Sequence, residues 1–89
     1  MPLAYALIHR EAGVFGISFP DFPGVIATGR TAEDAVRKGS EALTFHAAGM
    51  VEDGDPLPTL RRLEEFERDP DYRADAEAAV VAMVPMPRR

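Results

Sequence analysis

The side chains that could do chemistry in this chain are few, and their spacing suits none. His9 and His46 are its two histidines, and it has no cysteine. Neither histidine has a partner at the spacing of a metal-ligand set or of a nucleophile and its base. His46 falls on the apolar stripe of a helical pattern, where a hydrogen-bonded, half-buried residue is the simpler role. His9 ends a strand pattern beside Arg10, a position expected at an exposed rim. Thr28-Gly29-Arg30-Thr31 is a strand-to-helix turn and not a glycine-rich phosphate loop. The ten bases are scattered along the chain and build no groove for nucleic acid. No catalytic residue, no metal and no cofactor is expected, and the chain reads as a non-enzyme.

The carboxylates are more informative as a field than as a site. The net charge is −5, and ten of the fifteen acids lie between Glu52 and Glu77. Such a surface repels phosphate and steers a basic partner toward itself. One local feature stands out against this background, the corner FPDFPG at residues 19–24. Pro20 ends any strand that Phe19 belongs to, because it has no backbone donor. Phe22, preceding Pro23, is pushed toward extended geometry. Pro23-Gly24 fits the centre of a type II turn, with glycine at the position that needs positive φ. The corner holds an aromatic, Phe22, and a carboxylate, Asp21, in fixed places.

The elements that must position these residues follow from periodicity. Eighty-nine residues with 46% apolar content make one small domain. Without cysteines, a secretory signal or a membrane span, the expected location is the cytoplasm. LAYALIH (residues 3–9) and FGISF (15–19) alternate as two strands of a hairpin turning at Glu11-Ala12-Gly13. VIATG (25–29) is a third strand. Thr31 caps a helix from Ala32 to Glu52, with Asp34 at the capping-box position reaching back. Ala35, Val36, Gly39, Ala42, Leu43, His46, Ala47 and Met50 form its apolar stripe, and Asp53-Gly54 stops it. A second helix is expected from Thr59, with Leu60, Leu63 and Phe66 inward and Arg61 and Arg62 outward. A further turn is expected over Asp71 to Asp75. AVVAMV (79–84) is a charge-free run, expected as a strand buried on both sides or in mid-sheet. The expected fold is α+β, a two-layer β-β-β-α-α-β domain with helices on one face of a mixed sheet.

That order matches the first part of a ribonuclease H fold, whose two-metal chemistry needs carboxylates on the strands. Neither LAYALIH nor AVVAMV contains one.

SFPDFPGVIATGRTAEDAVRKGSEAL (residues 18–43) resembles the HicB family of antitoxins. Ser18, Phe19, Pro20, Asp21, Pro23 and Gly24 match the family's strand-end pattern, and Thr28, Gly29, Thr31, Asp34 and Ala35 match the run into its helix. EDGDPLP (52–58) resembles the family's acidic helix exit, and DPDYRAD with AVVAMVPMP resembles its final strand. The resemblance implies a partial, degraded ribonuclease H-like fold without catalytic acids. It implies an antitoxin that binds and occludes a small basic ribonuclease, a HicA-like toxin. Asp21, Phe22, Glu52, Asp53 and Asp55 are then expected to line the partner surface. The alternative is a free-standing protein-binding module of the same fold with another partner. A homodimer or higher oligomer is expected, through the small-residue face of Gly16 and Ser18 or through an edge strand. Residues 1–87 are expected to form the domain. Arg88-Arg89 would be a stub where a DNA-binding domain would follow, so DNA binding is not expected of this chain alone.

Overall fold

The structure, a computed structural model, describes residues 3–77 and 79–85. The expected stub at Arg88-Arg89 lies outside these residues. Strands β1 (Leu3–Glu11), β2 (Val14–Ser18) and β3 (Ile26–Gly29) form a meander. Helix α1 (Ala32–Glu52), short helices α2 (Leu63–Glu67) and α3 (Pro70–Ala76), and strand β4 (Val80–Pro85) follow. The α+β class and the small four-stranded domain are as expected. The sheet order is β3-β2-β1-β4, and every pairing is antiparallel, so the sheet is not mixed. A connection running from one face of the sheet to the other brings β4 back against β1 in this sense.

Helices on both faces correct the expected two-layer arrangement. Side chains alternate across a strand, and β1 uses both sides. Ala4, Ala6 and Ile8 join Ile17, Phe19, Val84 and the α1 residues Ala35, Leu43 and Ala47 in one buried cluster. Leu7 instead buries with Phe66 of α2 and Tyr72 of α3 on the opposite face, with Tyr5 and Ala76 beside them. Phe66 stacks on Tyr72 at 4.9 Å and meets the Tyr5 ring edge-on at 5.5 Å. Burial pushes the Tyr72 hydroxyl pKa up. β1 is therefore the central wall of two small cores, and the domain has three layers.

The first core depends on how α1 starts. Thr31 Oγ1 accepts from Asp34 N at 3.0 Å, the expected cap. Asp34 reaches back one residue further than a capping box requires, accepting from Arg30 N at 3.3 Å. With Arg37 and Lys38 also on it, its carboxyl sits below the ordinary carboxylate range. Gly39, lacking a side chain, lets the helix lie directly on Ile17.

The segment between α1 and α2 is where the expected second helix fails. Pro56 and Pro58 keep the chain extended, and α2 starts only at Leu63, with Arg62 as its cap. Leu57 and Leu60 pack on the first cluster while Phe66 lies in the second, so this segment carries the chain around the sheet. Arg61, expected outward, turns inward. Its Nε donates to Asp21 Oδ1 at 2.6 Å and its backbone N–H donates to Asp21 Oδ2 at 3.0 Å. Nη1 donates to Asp69 Oδ2 at 3.0 Å, and the guanidinium lies 4.3 Å from the Phe66 ring centre. The Asp21 hydrogen bond raises the Arg61 pKa. Asp69 is held low by Arg61 and by the Asp71 and Tyr72 N–H groups that it caps at the start of α3. His9 completes this side, its Nε2 donating to the Asp75 carbonyl at 2.7 Å rather than facing solvent at a rim.

Three outcomes follow for urea denaturation. Asp21→Ala leaves the Arg61 guanidinium and N–H without their main partner and should cost about 2–3 kcal/mol. The β1–β2 turn places Ala12 at φ +52° beside Gly13 at +80°, a left-handed pair that Asn-Gly fills better. Ala12→Asn should therefore stabilise by about 0.5–1 kcal/mol. Because the Asp69 pKa is depressed on folding, its stabilisation is complete above about pH 4 and is lost as pH falls through the folded value. Asp69→Asn, which can still cap α3, should flatten that acid-side loss.

Candidate functional site

Five residues were candidates for a partner surface, and the structure divides them. The FPDFPG corner is two consecutive β-turns, with Phe22 N bonded to the Phe19 carbonyl at 2.9 Å and Val25 N to the Phe22 carbonyl at 3.1 Å. Gly24, at φ +94°, takes the conformation expected of it. The turns fold Phe22 inward, where it is fully buried and meets the His46 ring edge-on at 6.3 Å. His46 itself is exposed on α1 and not half-buried. The Asp21 carboxylate, almost wholly buried, is occupied by Arg61. Asp21 and Phe22 therefore hold the corner in place and present little to an incoming partner.

Glu52, Asp53 and Asp55 lie elsewhere, exposed together where α1 ends. The helix closes with Gly54 N bonded to the Val51 carbonyl at 3.1 Å and Asp55 N to the Met50 carbonyl at 2.8 Å. This is a Schellman closure, and Gly54 at φ +79° makes it possible. It fixes the backbone on both sides of the turn and so fixes Asp53 and Asp55 relative to one another. Electrostatically the three acids are misplaced. A helix carries partial negative charge at its C-terminus, where carboxylates are unfavourable and bases favourable. α1 has no basic residue in its last turn.

Sequence periodicity passed over a residue two turns earlier on the same helix. Phe45 is 82% exposed. It belongs to a solvent-facing row of Glu41, Phe45, Ala48 and Glu52, at steps of four, three and four residues. Its position on the helical wheel, opposite Ala35, Gly39, Leu43 and Ala47, was a signal available in the sequence. An isolated aromatic ring framed by carboxylates and fixed on a 21-residue helix suits recognition of a partner that offers an apolar pocket rimmed by bases.

A concavity of about 350 Å³ opens beneath the corner between Ser18, Ile26 and α3. Asp71 and Asp75 stand on its rim. Among the described residues no group of three histidines or carboxylates could hold a metal ion. Among them, too, no helix is long and apolar enough to cross a membrane.

Residues 5–87 match the family described as HicB_like antitoxin of bacterial toxin-antitoxin system. A 14.9 kDa protein of Haemophilus phage HP1, from its rep-hol intergenic region, is 37% identical over 66 residues. That match takes in 74% of this chain and 50% of the phage protein, so the chain spans half the length of this relative. The crystal structure of the antitoxin HicB of Burkholderia pseudomallei superposes with a TM-score of 0.80 at 30% identity, over 100% of this chain and 72% of that one. A structure described as the HicA3 and HicB3 toxin-antitoxin complex shares the fold, with a TM-score of 0.74 at 22% identity over 98% of this chain and 100% of that one. The match along nearly the whole domain, and the HicB structure that shares its fold, place this chain in the HicB-like family of bacterial antitoxins.

Proposed function

We propose that this domain neutralises a small basic ribonuclease toxin of the HicA kind by binding it and covering its active site. It performs no chemistry of its own, needs neither metal nor cofactor, and acts in the cytoplasm. Family membership supports the antitoxin role. Support for the surface comes chiefly from one observation, the carboxylates at the wrong end of α1. Glu52 and Asp53 oppose the helix dipole, so they do not serve the stability of the fold. A basic partner would convert that unfavourable field into attraction. Phe45, in the same row as Glu52, supplies the apolar anchor. Asp55, held by the helix closure, completes the rim. The same negative surface repels nucleic acid phosphate, and no DNA binding is ascribed to the described residues.

The test uses the tagged chain co-expressed with the small protein encoded beside it, followed by pull-down and an RNA-cleavage assay. A basic protein should co-purify, and its cleavage of RNA should fall as this chain is added. Glu52→Lys with Asp53→Lys should stabilise the free domain by about 0.3–1 kcal/mol per site. The same pair should weaken toxin binding about tenfold or more, so stability and affinity move in opposite directions. Phe45→Ala should weaken binding by a similar factor with little effect on folding. If the chain purifies alone and protects RNA from no toxin, the fold serves a different protein partner. Unchanged affinity in these variants would remove the end of α1 from the interface.

A further inference from the structure

The sheet has two edges, and the concavity beneath the corner opens at one of them. β4, expected in mid-sheet, lies at one edge, and β3 lies at the other. On the face away from α1, Leu7, Ser18 and Ile26 stand in one row across β1, β2 and β3. Leu7 pairs with Ser18, and Ser18 pairs in turn with Ile26. Tyr72 of α3 packs on Leu7, and the cover thins along the row. Leu7 is 1% exposed, Ser18 is half-buried and Ile26 is 70% exposed. The concavity of about 350 Å³ follows this row, a slot closed at Leu7 and open at the free edge of β3. That volume is at the small end of the range for ligand clefts.

The floor of the slot is apolar, while α3 sets Asp71 and Asp75 along its rim. These two lie four residues apart and so share one side of the helix. Both are exposed, and neither has an ion-pair partner among the described residues. Arg61 is the one base among the described lining residues, and its charge is already balanced by Asp21 and Asp69. Like charges one turn apart repel, so Asp71 and Asp75 would gain from a cation held between them. A bare ion would leave the apolar floor empty. A side chain with an aliphatic stem and a charged head complements both parts. We infer that the slot receives a lysine or arginine side chain from an extended segment of a partner protein. The stem lies over Ile26 and Ser18 toward Leu7, and the head ends between Asp71 and Asp75. The segment is extended because the mouth runs along β3, whose outer side has no strand partner among the described residues. The slot uses none of Phe45, Glu52, Asp53 and Asp55, and the inference does not rest on the toxin-binding reading.

Amide NMR spectra of the labelled chain, titrated with the peptide acetyl-Val-Thr-Arg-Thr-Val-amide, test this. Shifts should gather at Ser18, at Ile26 and along α3 from Asp71 to Asp75. The same peptide with citrulline for arginine keeps the shape without the charge, and should bind about tenfold or more weakly. Asp71→Asn with Asp75→Asn should weaken the arginine peptide by about the same factor and leave the citrulline peptide unchanged. Both positions are exposed, so the circular dichroism of this variant should match that of the wild type. Ile26→Ala should weaken both peptides alike, because it removes only the contact with the stem. Absence of shifts at millimolar peptide overturns the inference, as does equal binding of the two peptides. Shifts at Glu52 to Asp55 in place of the slot would show the peptide following overall acidity, and would overturn it too. Agmatine carries the same head and stem without a backbone. Binding of agmatine as tight as that of the peptide would assign the slot to a free amine and overturn the partner segment.

Discussion

Asp21 and Arg61 are forty residues apart, and their contact joins the two halves of the domain. Asp21 sits in the corner between β2 and β3, while Arg61 sits in the segment that takes the chain around to the other face. One carboxylate accepts both the Nε–H and the backbone N–H of the same residue, which fixes that residue's backbone and side chain together. The guanidinium then reaches Asp69, which caps α3, and covers the Phe66 ring at the centre of the second core. The path and the packing of α2 and α3 therefore pass through a single ion pair. The prolines of the corner serve this contact: by ordering the chain around Asp21 before folding, they reduce the entropy lost when the pair forms.

The surface is divided by chemistry. Acids gather at the exit of α1, two turns beyond Phe45, and the uncharged side chains of β4 lie along the sheet edge. The two cores are small, so much of the apolar surface of β4 stays exposed in the domain itself.

Much of the fold was legible in the sequence because local rules decided it. The bounds of α1 follow from Thr31 and Gly54, and the corner follows from Pro23-Gly24. What escaped was decided by contacts distant in sequence. Leu60 to Phe66 has helical spacing, but Pro56 and Pro58 and the pull of Asp21 on Arg61 delay the helix to Leu63. The alternation in LAYALIH marks both faces of β1 as apolar, which was the available sign of a second core on the far side. Burial of Phe22 and Asp21 could not be read from residue type, since a corner shows its aromatic inward or outward with equal ease. Phe45 was legible on the helical wheel, whereas the edge position of β4 depends on sheet order, which periodicity does not encode.

The pairing of β1 with β4 also sets the order in which the domain can be made. β1 is synthesised before the other three strands and lies inside the sheet, yet Leu3 pairs with Pro85. Until β4 has left the ribosome, one side of β1 is an open edge and α2 and α3 pack on an incomplete sheet. The meander and α1 can form early from near neighbours, but the sheet closes only once β4 is available to pair with β1. Its folding is therefore a late, cooperative event. A nascent copy would present a bare apolar β1 edge to the cell before it could present a finished surface to any partner.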